Sequence, residues 1–123
     1  MTILETVLKR FENPDEVRIF EKGKFELIHM GAMTIGRATY EPGRKWSVEV
    51  GPSVGVSHCN VEHVGLVLSG CATAAMHDST IHELHAATLF YNPPGTPGHA
   101  SWVVGEEPYV SLHLRGADHY ANQ

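Results

Sequence analysis

Short segments bounded by glycine and proline are the feature that most constrains the fold of this chain. The 12 glycines and 7 prolines interrupt the sequence at intervals of roughly 8 to 12 residues, the spacing expected of strands joined by turns. The intervening segments are rich in Val, Ile, Thr, Tyr and Phe, which predicts an all-β sandwich or barrel. The predicted strands cover 17–20, 25–30, 33–40, 46–50, 54–59, 64–69, 71–77, 80–84, 88–91, 101–104 and 109–114.

The start of the chain is the one place where a helix competes with this pattern. Thr2 is a suitable N-cap, and Glu5 stands three positions later, as in a capping box. Apolar residues then recur at helical spacing until Asn13-Pro14 ends the run. The same segment is equally compatible with an arm that pairs with a partner subunit, so we expect a short N-terminal helix or arm.

Size and charge set the remaining limits. The 123 residues suit a single domain, 1–123, with the core barrel at about 25–115. The net charge is −5 and basic residues are scattered, which argues against nucleic-acid binding. The sequence has no long apolar run and no secretion-type start. We therefore expect a cytoplasmic protein with no membrane partner.

Histidine is unusually frequent, with nine residues, beside two cysteines. The densest group of potential metal ligands is the segment 57–63. If strands over 54–59 and 63–69 were antiparallel neighbours joined by a short turn, Cys59 and His63 would face each other on one wall. Because alternate strand residues share a face, either Cys59 or His58 points inward, and the sequence leaves both alternatives open.

A second group of potential ligands, residues 93–99, is a turn that ends at His99. Its prolines restrict the backbone and its glycines allow tight bends. Cys59, His63 and His99 together offer a thiolate and two imidazoles, a ligand set with room for water or substrate. That set favours Zn²⁺, and iron, manganese and nickel are alternatives. No phosphate-binding glycine motif and no nucleophile elbow is present.

These two groups resemble the two motifs of the cupin family. Gly70 closes the first motif, and counting back places His63 where cupins carry a glutamate ligand. Cys59 then stands at the second histidine of the motif and Ser57 at the first. In the second motif His99 matches the family's histidine, after one extra residue.

From Gly43 onward the chain resembles a bacterial subgroup of small single-domain cupins in which motif one has a Cys-x-x-x-His variant. That subgroup usually has Gly-His-Asp-Ala-Trp where this chain has Gly-His-Ala-Ser-Trp at 98–102. The resemblance implies a double-stranded β-helix of the jelly-roll type, and it implies a homodimer.

The resemblance and the ligand set together predict a metal-binding cupin that holds a small organic molecule in its barrel. The protein would then be a metal-dependent enzyme of lyase, isomerase or oxygenase type, or a non-catalytic module that senses a metabolite or metal. In the enzyme, His58 or His113 would move a proton. His113 alternates with leucines on its strand and so takes the opposite face, whereas His82 and His85 are expected in a solvent-facing hairpin.

Overall fold

The chain folds into two antiparallel sheets. The computed structural model describes residues 6–47, 62–76, 80–93 and 98–116, and the strands within these ranges are ten in number. Their bounds are β1 (Glu16–Phe20), β2 (Gly23–Met30), β3 (Met33–Tyr40), β4 (Lys45–Ser47), β5 (His63–Ser69), β6 (Cys71–Met76), β7 (Ile81–His85), β8 (Leu89–Asn92), β9 (Gly98–Val104) and β10 (Tyr109–Arg115).

Strands distant in sequence lie side by side in both sheets. The larger sheet has the order β1-β2-β3-β10-β5-β8, and the smaller has the order β4-β9-β6-β7. The last strand, β10, therefore lies between β3 and β5, and β9 lies between β4 and β6. All of these pairs are antiparallel. No helix of the described residues is long and apolar enough to cross a membrane.

The hydrophobic core joins the two sheets. Val67 of β5 and Tyr109 of β10 pack in one buried cluster with Ala72 of β6 and Val103 of β9. The first two residues belong to the larger sheet and the other two to the smaller sheet. The inner face of each sheet can thus be identified from the alternation of buried and exposed positions along its strands.

Two inward-facing glycines of the larger sheet make room for aromatic rings. A Cβ atom at Gly36 of β3 would overlap the Phe25 ring, and one at Gly65 of β5 would overlap the Phe90 ring. Each ring therefore packs directly on the backbone of a neighbouring strand. Both glycines are cross-strand partners of the same residue, His113 of β10. This histidine consequently lies between two phenylalanine side chains.

The predicted strands are confirmed wherever the structure describes them, and most bounds agree to within a residue or two. The main difference is that β9 begins at Gly98, three residues before the predicted start. The predicted strand over 54–59 lies outside the described residues.

The proposed hairpin between 54–59 and β5 is wrong. Along β5, residues from Val64 onward pair with β10, and residues His63 to Leu66 pair with β8. A strand has only two hydrogen-bonding edges, and here both are occupied. The predicted ladder between 54–59 and β5 therefore has no free edge of β5 to form on, and Cys59 itself lies outside the described residues.

Residues 6–15 contain no helix, so the helix alternative is wrong from Thr6 onward, and pairing of the arm with a partner subunit stays a prediction. The candidate helix would span about ten residues, which is too short to be stable without packing. The segment instead contacts the outer side of the larger sheet. The Arg37 guanidinium lies 4.8 Å from the centre of the Phe11 ring, and Lys9 Nζ donates to the carbonyl of His29 at 2.8 Å. The capping-box residues lie outside the described part.

Candidate functional site

His63 lies inside one end of the barrel. It is the first residue of β5 and is 9% exposed. It alternates with Gly65 and Val67, which are also buried, and Val67 belongs to the core between the sheets. The His63 imidazole therefore projects from the inner face of the larger sheet.

The chain that leaves β10 passes close to this imidazole. Gly116 follows the last residue of β10 and has a φ of +86°. A Cβ atom there would lie 2.6 Å from His63 Nδ1 and 2.5 Å from the carbonyl oxygen of Glu62. The backbone at Gly116 thus lies directly against the His63 ring.

A second histidine, His113, is buried on the same inner face. It is 5% exposed, and the predicted alternation with leucines on β10 is confirmed. Its ring meets Phe25 and Phe90 edge-on, with centroid separations of 5.2 and 5.7 Å. Its Nε2 atom lies 3.1 Å from Oγ of Ser111, a buried residue of the same strand.

The apolar surroundings of His113 control its protonation. Burial, and secondarily the neighbouring His63, lower the pKa of His113 to about 3. The imidazole is therefore neutral at pH 7, with one ring nitrogen as a donor and the other as an acceptor. Such a group can orient a bound molecule by a hydrogen bond, and it is poorly suited to carry a proton at neutral pH.

A polar cluster at the rim connects three strands of the larger sheet. The Glu62 carboxylate accepts a hydrogen bond of 2.9 Å from the Tyr91 hydroxyl of β8 and forms an ion pair with Arg115 of β10. The carboxylate raises the pKa of Tyr91. Because Glu62 directly precedes His63, these contacts fix the main chain from which the His63 side chain projects.

Two of the three predicted metal ligands, His63 and His99, lie within the described residues. His63 is buried in the barrel interior. His99 lies in β9, where the pairing with β6 shifts register between Ala75 and Met76. Cys59 and its alternative His58 lie outside the described residues. Within the part of the chain that is described, no group of three His, Cys, Asp or Glu residues is arranged to hold a metal ion.

Two residues of this site were not predicted from the sequence. Ser111 could have been found, because it stands two positions before His113 on a strand whose alternation was recognised. Gly116 could not, because nothing in the sequence distinguishes it from an ordinary turn glycine. His82 and His85 are exposed on β7, as predicted.

Comparison with solved structures identifies the fold. The polyketide cyclase RemF from Streptomyces resistomycificus superposes with a TM-score of 0.70 at 11% identity, over 90% of this chain and 79% of that one. A protein with a double-stranded β-helix domain from Klebsiella pneumoniae superposes with a TM-score of 0.62 at 16% identity, over 90% of both chains. The chain has the cupin fold. Oxalate decarboxylase from Lactobacillus farciminis superposes with a TM-score of 0.58 at 18% identity, over 81% of this chain and 30% of that one.

Comparison by sequence adds no family assignment to this cupin fold. No family model matches the chain, and no curated protein matches it. The fold alone does not set the reaction, because one fold hosts many functions. The site residues therefore have to supply the functional argument.

Proposed function

We propose that this cupin binds a divalent metal ion through Cys59, His63 and His99 and holds a small organic molecule in its barrel. The observation that carries the proposal is the position of His63, which is buried on the inner face beside a second buried histidine. Imidazole is the commonest metal ligand among the side chains, and a histidine on the inner face can present a ring nitrogen to a metal ion in the barrel.

The chemistry of the donor set fits a transition metal. One thiolate and two imidazoles match the ligands of three-residue zinc sites, which leave the fourth position open for water or substrate. Zn²⁺ is the first choice, with iron, manganese or nickel as alternatives. When bound, such an ion polarises a carbonyl or carboxylate of the substrate or activates a water molecule.

The chain's own residues define the surroundings of the bound molecule. Phe25 and Phe90 pack around His113 and exclude water from this part of the barrel. The neutral His113 and the Ser111 hydroxyl provide a polar point on that wall. His113 thus orients a polar atom of the ligand rather than moving a proton, which leaves His58 as the residue expected to transfer one.

We further propose that the protein is a metal-dependent enzyme of lyase, isomerase or oxygenase type. Proteins of this fold with 11% and 18% identity to the chain are a polyketide cyclase and an oxalate decarboxylase, which supports enzymatic use of the barrel. Turnover of a small carboxylate or carbonyl compound supports the enzyme. Ligand-induced stabilisation without turnover supports a binding module instead.

The metal proposal is tested by cobalt substitution. Metal-free protein is titrated with Co²⁺ and followed by absorption spectroscopy, because a thiolate ligand adds a charge-transfer band in the near ultraviolet to the visible d–d bands of cobalt. We expect this band in the wild type and in His58→Ala, and its loss in Cys59→Ser. A wild type without a thiolate band, or a band that disappears in His58→Ala alone, contradicts the ligand set.

The proposed assembly is a homodimer. The arm residues Lys9 and Phe11 contact the larger sheet of their own chain, so the dimer requires no exchange of this part of the arm. Analytical ultracentrifugation of the wild type is expected to give twice the chain mass of 13.5 kDa, and a monomer at all concentrations would contradict it.

A further inference from the structure

One edge of the His63 imidazole lies against Gly116. A Cβ atom at position 116 would be 2.6 Å from Nδ1 and 3.0 Å from Cε1 of His63, which is closer than atoms pack in protein interiors. The Nδ1 atom is also buried. The His63 ring can therefore occupy this place only because residue 116 has no side chain.

The backbone around Gly116 is shaped for this approach. The pairing of β10 with β5 shifts register between His113 and Arg115, and such a bulge bends a strand and redirects its end. Gly116 then adopts a φ of +86°, which glycine reaches without steric cost. Together the bulge and the glycine direct the chain across the first residue of β5.

The main chain of His63 is held independently from the other side. Glu62 is tied to Tyr91 of β8 and to Arg115 of β10 through its carboxylate, and its carbonyl oxygen is also close to Gly116. The backbone of His63 and the Nδ1 edge of its ring are thus both fixed by contacts within the chain.

We infer that Gly116 is a positioning residue for His63: it turns Nδ1 towards the protein backbone and presents Nε2 as the nitrogen that binds the metal. The metal part of this inference depends on the proposed function. Its physical basis is that Zn²⁺ needs a nitrogen at about 2.0 to 2.1 Å with the ring correctly oriented. Outer contacts that orient a ligand typically change metal affinity about 10- to 100-fold.

The experiment compares Gly116→Ala with Gly105→Ala. Both glycines have a φ of +86°, but a Cβ atom at Gly105 would meet nothing within 4 Å. The two variants therefore share the backbone strain, and only Gly116→Ala brings a Cβ atom against His63 and the carbonyl oxygen of Glu62. We expect Gly116→Ala to bind Zn²⁺ about tenfold more weakly or worse and Gly105→Ala to bind like the wild type, measured by competition with a chelating indicator. Equal losses in both variants, or none in either, overturn the inference.

Nuclear magnetic resonance of the imidazole nitrogens separates this inference from the metal proposal. In metal-free protein, the His63 ring signals, assigned with His63→Ala, are expected to shift in Gly116→Ala and not in Gly105→Ala. Zn²⁺ added to the wild type is expected to leave the proton on Nδ1 and to shift Nε2. Unchanged ring signals in metal-free Gly116→Ala, or coordination through Nδ1, overturn the inference.

A wild type that binds no Zn²⁺ refutes the proposed function, and the metal-free spectra still decide the role of Gly116.

A double substitution tests the inference if the Gly116→Ala variant does not fold. If Gly116→Ala does not fold, His63→Ala/Gly116→Ala is expected to regain part of the lost stability, because removing the ring relieves the contacts at 2.6 and 3.0 Å and leaves only the one with the Glu62 carbonyl oxygen at 2.5 Å. A double variant that is no more stable than Gly116→Ala alone overturns the inference.

Discussion

Replacing His113 with glutamine should change how the stability of this protein depends on pH. His113 is 5% exposed, and its pKa is lowered from an ordinary value of 6.5 to about 3, mainly by burial. As the pH falls, the unfolded chain takes up a proton on this histidine before the folded protein does. The folded state therefore loses stability as the pH drops below about 6.5, and this loss ends near pH 3.

The magnitude follows from the two pKa values. Each pKa unit corresponds to about 1.4 kcal/mol. At pH 5, about 1.5 units below the pKa of the unfolded state, protonation of His113 stabilises the unfolded state by about 2 kcal/mol and the folded state almost not at all. The free energy of unfolding is therefore about 2 kcal/mol lower at pH 5 than at pH 8. Glutamine removes the titration while keeping an amide that can reach the Ser111 hydroxyl.

The assay is urea unfolding of metal-free protein at pH 8, 7, 6 and 5. The free energy of unfolding of the wild type should fall by about 2 kcal/mol more than that of His113→Gln over this range. His82→Gln, which removes an exposed histidine of β7, should follow the wild type. Parallel pH dependences for the wild type and His113→Gln would refute the reasoning.

Two further substitutions test the packing of the larger sheet. Gly65→Ala places a Cβ atom into the Phe90 ring and 2.7 Å from a backbone oxygen, so it should lower the free energy of unfolding by about 1 to 3 kcal/mol; an unchanged urea midpoint would contradict this packing. Arg37→Ala removes the closer cation from the buried Glu26 carboxylate, at 3.0 Å against 3.8 Å for Lys24. It should cost about 2 kcal/mol, more than Lys24→Ala, and equal thermal shifts in the two variants would count against this ion pair.

The strands could be predicted from the sequence because their signals are local. Turn residues and two-residue alternation fixed β3 at Met33–Tyr40 without error, and alternation along β10 placed His113 on the inner face. Which strands lie next to each other in the sheet could not be predicted in this way. The short connection over 60–62 suggested a hairpin, whereas β5 pairs with β8 and β10, which come much later in the chain.

The site was predicted in part for the same reason. His63 stood out by its spacing from Cys59, and the structure places it in the barrel. The roles of Gly116 and Ser111 depend on contacts between strands that no local pattern encodes. The long-range partners of His113, two glycines and two phenylalanines, likewise explain its lowered pKa only once the register of the sheet is known.

The metal content of the purified, untagged protein tests the central claim most directly. Plasma mass spectrometry is applied to the wild type, Cys59→Ala, His63→Ala and the surface control His82→Ala after the same dialysis. The account predicts one divalent metal ion per chain in the wild type and in His82→Ala, and a loss of that metal in the other two variants. A wild type without metal, or full metal content in Cys59→Ala and His63→Ala, would contradict it.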